Sequence, residues 1–106
     1  MTPFQRIDIE HAMQLLERDD CQLVDIRDEQ SYRQGHIRGA KHLDGTAVED
    51  FLRDANPEAP LVIYCYHGNS SQQAAMFFHE RDFNEVYSVD GGYELWQQQH
   101  PDITRR

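Results

Sequence analysis

The chain has 106 residues, a size that suits one domain (1–106) and lets roughly two-thirds of the unfolded surface be buried. Ten Lys and Arg against nineteen Asp and Glu give a formal net charge of −9 with no basic cluster, which argues against nucleic acid and anionic membranes as partners, because both need cationic patches to offset phosphate. No apolar run approaches the ~18 residues that span a bilayer, and residues 1–6 are neither basic-then-apolar nor followed by a small-residue cleavage site, so a soluble, cytoplasmic protein is expected.

Residues 4–7 read as a short edge strand. Asp8 can cap the helix that follows, in which Ile9, Ala12, Met13 and Leu16 share one face and which should end near Arg18. A second strand covers 23–26 and carries Asp25 inside an apolar run; a buried carboxylate needs a partner, and Arg27 is nearest in sequence, with loop amides or another segment as alternatives. Residues 28–34 read as a short helix capped by Asp28 and followed by Gly35, at the position where positive φ is usual. A loop over 36–40 and a short strand over 41–43 come next. Thr46-Ala-Val-Glu49 has the form of a capping box, and Val48, Phe51, Leu52 and Ala55 make an apolar helical face that Pro57 and Pro60 close off.

The run 61–65 is apolar on both faces, as a buried parallel strand is. The helix after it carries Ala74, Ala75 and Phe78 inward and runs to about Arg81, with Asp82 at the left-handed position that Gly more often fills. A strand over 85–89, the turn Asp90-Gly91-Gly92 and a helix over 93–99 anchored by Trp96 follow; Pro101 closes that helix and the tail to Arg106 should fray. Strands alternating with helices at short spacing predict an α/β fold, a parallel sheet with helices on both faces.

Chemistry concentrates at Cys65, which ends an apolar strand directly before the polar turn Tyr66-His67-Gly68-Asn69-Ser70-Ser71 and a helix start. Cysteine reacts as thiolate, and amide N–H groups and a helix amino terminus aimed at the sulfur lower its pKa. Gly68 permits a tight curl, small polar neighbours let successive amides converge as an anion nest, and the hydroxyls of Ser70 and Ser71 can add donors. Such a nest suits a negative charge one atom beyond the sulfur, as on a persulfide, and an oxyanion equally; the chemistry leaves both open. A cysteine ending an apolar strand is more often a buried small hydrophobe, and that reading is the one adopted for Cys21, which no nest follows. His67 either tunes the site as the one cationic side chain of the loop or is merely solvated, and His36 reads as a hydrogen-bonding structural residue rather than a general base. Two cysteines are too few for a disulfide scaffold and lack CxxC spacing, and the six histidines are scattered, so no metal site is read.

Taken together, Val24-Asp25-Ile26-Arg27, Tyr32, Gly35-His36-Ile37-Arg38-Gly39-Ala40, the Cys65 loop, and Asp90-Gly91-Gly92-Tyr93 with Trp96 resemble the rhodanese homology domain over the whole chain, and in particular its single-domain thiosulfate sulfurtransferases. The resemblance implies a five-stranded parallel sheet, a cytoplasmic enzyme without metal or cofactor, and a two-step transfer in which Cys65 takes sulfur from thiosulfate and passes it to cyanide or to a thioredoxin-like dithiol. It implies that the loop from Cys65 to Ser70 cradles the persulfide, and it admits a homodimer that nothing in the residues demands. Thiol phosphatases follow C-x-x-x-x-x-R, whose arginine clamps phosphate; position six after Cys65 is Ser71, so phosphatase or arsenate reductase chemistry ranks below sulfur transfer. The competing reading of another class is a sulfur-carrier or partner-binding module without turnover. Related sulfurtransferases often carry a basic residue in or just after the loop, whereas Gln72 and Gln73 stand here in a chain of charge −9; weak thiosulfate binding is expected, with a persulfide from another protein as the better donor.

Overall fold

In the computed structural model, which describes residues 4–105, five short strands run parallel: β1 (Gln5–Ile7), β2 (Gln22–Asp25), β4 (Lys41–His42), β5 (Leu61–Tyr64) and β6 (Val86–Val89). Their order across the sheet is β1-β6-β5-β2-β4, with β5 at the centre and β1 at an edge. Helices α1 (Ile9–Leu15), α2 (Glu29–Gln34), α3 (Val48–Asp54), α4 (Ser70–His79) and α5 (Gly92–Gln99) connect or follow the strands. The expected α/β architecture with a five-stranded parallel sheet is the one observed. Among the described residues no helix is long and apolar enough to cross a membrane.

Side-chain alternation along the strands sorts the core into two layers. Leu23, Val62, Tyr64, Tyr87 and Val89 face one side, where Ile9 and Ala12 of α1 and Tyr93 and Trp96 of α5 cover them. Val24, Leu61, Ile63 and Val86 face the other, against Phe51 of α3 and Ala75 and Phe78 of α4. The central strand is buried along its full length, so its carboxyl end, where Cys65 lies, emerges between two helical layers. Asp82 adopts φ 71°, as its place after α4 predicted.

Several local expectations are corrected. Gly35 is extended (φ 171°) and not left-handed; what excludes a side chain is space, because a Cβ would lie 2.5 Å from Tyr93 Oη. The capping box at Thr46 does not form. Asp44, two residues earlier, accepts from the N–H groups of Thr46 and Ala47 at 3.0 Å each and from the Thr46 hydroxyl at 2.7 Å, so the turn before α3 is closed by an Asx motif instead. Residues 36–40 are not simply loop: β3 (His36–Ile37) pairs antiparallel with β7 (Thr104–Arg105). The tail therefore does not fray over its described part; Pro101–Ile103 forms a 3₁₀ turn and Ile103 C=O accepts from Arg38 N–H at 2.7 Å.

Asp25 is fully buried at the end of β2, and Arg27 is its partner. The Arg27 guanidinium donates from Nη2 at 2.6 Å and from Nε at 3.1 Å, and the Arg27 N–H donates to the same carboxylate at 2.9 Å. Nη2 also reaches Gly35 C=O at 2.6 Å, and the guanidinium stacks over Tyr93, 3.9 Å from the ring centroid. One arginine thus ties β2 to the end of α2 and to α5, and its removal strands a buried carboxylate. Arg27→Met should lower the unfolding free energy by about 3–5 kcal/mol in urea denaturation; a loss under about 1 kcal/mol would contradict this role.

Candidate active site

Cys65 follows the last residue of β5 and is buried. Its Sγ accepts the Gly68 N–H at 3.1 Å and the Ser71 N–H at 3.3 Å, and the Ser71 hydroxyl lies 3.4 Å away. Ser71 is the second residue of the ten-residue helix α4, so the helix amino terminus adds its dipole to these donors. The loop between them is held from outside. Tyr93 N–H, in the first turn of α5, donates to Cys65 C=O at 2.8 Å, and Glu94 N–H donates to Tyr66 C=O at 3.1 Å.

This contact explains the turn before α5. Gly92, at φ 59°, lies so close to the loop that a Cβ would stand 2.6 Å from both the Cys65 and Tyr66 carbonyl oxygens. Gly68, at φ 98°, has the same problem from the other direction: a Cβ there would meet Gly91 N at 2.9 Å and Val89 O at 3.1 Å. Gln72, noted above for the charge it lacks, turns back to donate from Nε2 to Gly68 C=O at 3.0 Å and closes the curl.

Burial pushes the Cys65 thiol up, but the Ser71 hydroxyl and the amides of Ser71, Gly68 and His67 outweigh it, and the thiol is held below its ordinary value. Hydroxyls and amides do this without a charged side chain. Cys21, half-buried and without such donors, goes the other way: burial first, then Asp20, push it up to about 11.

A rhodanese-like domain model matches residues 8–99. The chain belongs to the rhodanese family. It is 55% identical over 98 residues to thiosulfate sulfurtransferase GlpE of Pseudomonas paraeruginosa, covering 92% of this chain and 88% of that protein. It is 50% identical over 101 residues to the protein of the same name from Pseudomonas putida strain GB-1, covering 95% and 92%. The crystal structure of reduced Bacillus anthracis CoADR-RHD superposes on 98% of the chain with a TM-score of 0.82 at 21% identity; the chain spans 18% of that longer protein, and the likeness is one of fold.

In this rhodanese domain the six loop residues singled out from the sequence divide into two groups. Gly68 and Ser71 are buried and bonded to the sulfur. Tyr66, His67, Asn69 and Ser70 are exposed around it. His67 Nε2 sits 2.8 Å from Glu94 Oε2, so its side chain is neither solvated alone nor turned to the sulfur. Asn69 occupies the cap position of α4 without a side-chain cap bond. His36 is structural, as expected: Nδ1 lies 2.9 Å from Tyr32 C=O and the ring stacks on Tyr32.

Beside the loop opens a cleft of about 610 Å³, lined among others by Arg27, Arg33, Tyr66, Tyr93 and Gln97. Sequence reasoning missed Ser88, a fully buried hydroxyl 2.8 Å from Ser71 Oγ; the available signal was a lone serine within the apolar strand Val86–Val89. Glu94 was missed as well, having no sequence mark apart from its place after the glycine turn. Among the described residues no three His, Cys, Asp or Glu side chains gather as metal ligands would.

The opposed shifts of the two thiols make a labelling experiment decisive. At pH 7 iodoacetamide should modify Cys65 well before Cys21, with a midpoint for Cys65 below the ~8.5 of a free cysteine. Equal labelling of both, or a midpoint above that value, would contradict the donor set described.

Proposed function

We propose that this chain is a thiosulfate sulfurtransferase in which Cys65 is the nucleophile and the loop Tyr66, His67, Gly68, Asn69, Ser70 and Ser71 binds the transferred sulfur. The observation that carries the reading is the convergence of the Gly68 and Ser71 amides and the Ser71 hydroxyl on one buried thiol. The names of the Pseudomonas relatives support it.

The Cys65 thiolate attacks the outer sulfur of thiosulfate. A new S–S bond forms, the S–S bond of thiosulfate breaks, and sulfite leaves with the electron pair. The resulting persulfide carries its charge one atom beyond Sγ. Asn69 and Ser70 have amide N–H groups with no partner among the described residues, and these are free to receive that charge. In the second step cyanide, or one thiolate of a thioredoxin-like dithiol, attacks the outer sulfur and Cys65 thiolate is released. Two displacements at sulfur need no metal or cofactor, and free thiols suit a cytoplasmic setting, where cysteines stay reduced.

Serine at the sixth position after the cysteine also separates this site from thiol phosphatases. Ser71 turns inward to the sulfur, where a phosphatase needs an arginine turned to the phosphate. The donors that face the sulfur are uncharged, and a chain of charge −9 repels a dianion, so thiosulfate binds weakly and a protein persulfide is the better donor.

Steady-state thiocyanate formation from thiosulfate and cyanide tests this. Wild type should turn over repeatedly with parallel double-reciprocal lines and a KM for thiosulfate of about 1 mM or more, the upper end of the usual range; Cys65→Ser should be inactive. One sulfur loaded per chain without turnover would reduce the protein to a carrier, and full activity in Cys65→Ser would sink the assignment. A KM far below 1 mM would overturn the charge argument alone.

A further inference from the structure

Ser88 lies in β6, a strand otherwise made of apolar or aromatic residues, and is fully buried. Val86, two residues before it, packs in the layer under α3 and α4, while Tyr87 and Val89 face α1 and α5. Strand alternation therefore aims Ser88 at α4, and the register sets it beside Ile63 of β5, two residues before Cys65 and on the same face. A hydroxyl in such a dry layer is unfavourable unless bonded. Among the described residues its one side-chain partner is Ser71 Oγ at 2.8 Å, and Ser71 is itself fully buried and 3.4 Å from the sulfur.

Each hydroxyl has a single proton, which restricts how the chain of three groups is wired. A thiolate can only accept, so when Cys65 is ionised the Ser71–Cys65 bond forms only with the Ser71 proton on Sγ rather than on Ser88. The Ser71 oxygen is then left as acceptor, and Ser88 is the hydroxyl placed to donate to it. When Cys65 is a thiol the direction is free to reverse, with S–H donating to Ser71 and Ser71 to Ser88. Only the first direction ends on a charge, where each bond polarises the next.

We propose that Ser88 is a positioning residue of the sulfur-transfer site: its hydroxyl donates to Ser71 Oγ and so turns the Ser71 proton onto the Cys65 sulfur. It touches neither the reacting sulfur nor substrate and acts through Ser71. The charged groups beside the loop, the His67–Glu94 pair, Asp90 with its partner Arg6, and Arg27, make no hydrogen bond to Ser71 or Ser88, so the relay is separable from them.

The proposal rests on Cys65 being the nucleophile of sulfur transfer, yet its test reads the free thiol. In a Cys21→Ser background, the pH dependence of iodoacetamide alkylation is followed for wild type and for Ser88→Ala, Ser88→Cys and Ser88→Thr. Alanine removes the hydroxyl, cysteine keeps the volume with a weak donor, and threonine keeps the hydroxyl in a residue that strands favour. Ser88→Ala and Ser88→Cys should move the Cys65 midpoint upward by roughly half a unit, about a threefold loss of thiolate below the midpoint, while Ser88→Thr stays with wild type. An unshifted Ser88→Ala profile, a Ser88→Cys profile like wild type, or a Ser88→Thr profile displaced as far as Ser88→Ala would overturn the proposal. A wild type that alkylates normally but never takes sulfur from thiosulfate would instead refute the sulfurtransferase assignment and leave the relay intact.

Discussion

The direction in which the Cys65 loop faces depends on two hydrogen bonds from the first turn of α5, Tyr93 N–H to Cys65 C=O and Glu94 N–H to Tyr66 C=O. In a trans peptide the carbonyl and the next N–H point opposite ways. Fixing the Cys65 and Tyr66 carbonyls toward α5 therefore turns the N–H groups of Tyr66 and His67 away from it, and the His67 amide is among the donors that act on the sulfur. The glycine turn exists to allow this approach, because a side chain at position 92 would occupy the space of the two carbonyl oxygens. Helix α5 reaches the loop since β6 lies next to β5, so the adjacency of the two strands is part of the chemistry.

The same arrangement reconciles an acidic protein with an anionic intermediate. Fixed amides and hydroxyls stabilise the thiolate over distances of three to four ångströms, where they need no reorganisation. Net charge acts over longer range, on the encounter with a charged donor. For the sulfur transfer proposed above, this means that a chain of charge −9 holds the sulfur anion well while attracting thiosulfate poorly. Arg27 and Arg33 are the cations lining the cleft beside the loop, but Arg27 is engaged with Asp25 and Arg33 with Glu29.

Much of this was legible in the residues. Short strand-like runs alternating with helical segments, with 61–65 apolar on both faces, predict a parallel sheet covered on both faces, and Cys65 before a glycine-bearing polar turn marks the nest. Contacts between residues distant in sequence were not legible. The tail pairs with β3 through bonds across more than sixty residues, Ser88 meets Ser71 only once β6 lies beside β5, and Gly35 is required by the Tyr93 hydroxyl rather than by its own φ. Local signals also competed. Thr46 and Glu49 had the form of a cap, and Asp44 won because its carboxylate accepts from three donors at once. The chain bends just after β2, so that the Arg27 N–H and guanidinium both turn back onto the Asp25 carboxylate, which is why the nearest candidate partner is the actual one.

The account stands on Cys65 holding a sulfur atom in its nest. Intact-mass and peptide mass spectrometry of wild-type protein treated with thiosulfate and desalted measures this without an acceptor. One added sulfur, confined to the peptide containing Cys65 and absent from Cys65→Ser, is the predicted result; an unchanged mass, or sulfur found on the Cys21 peptide, would contradict it.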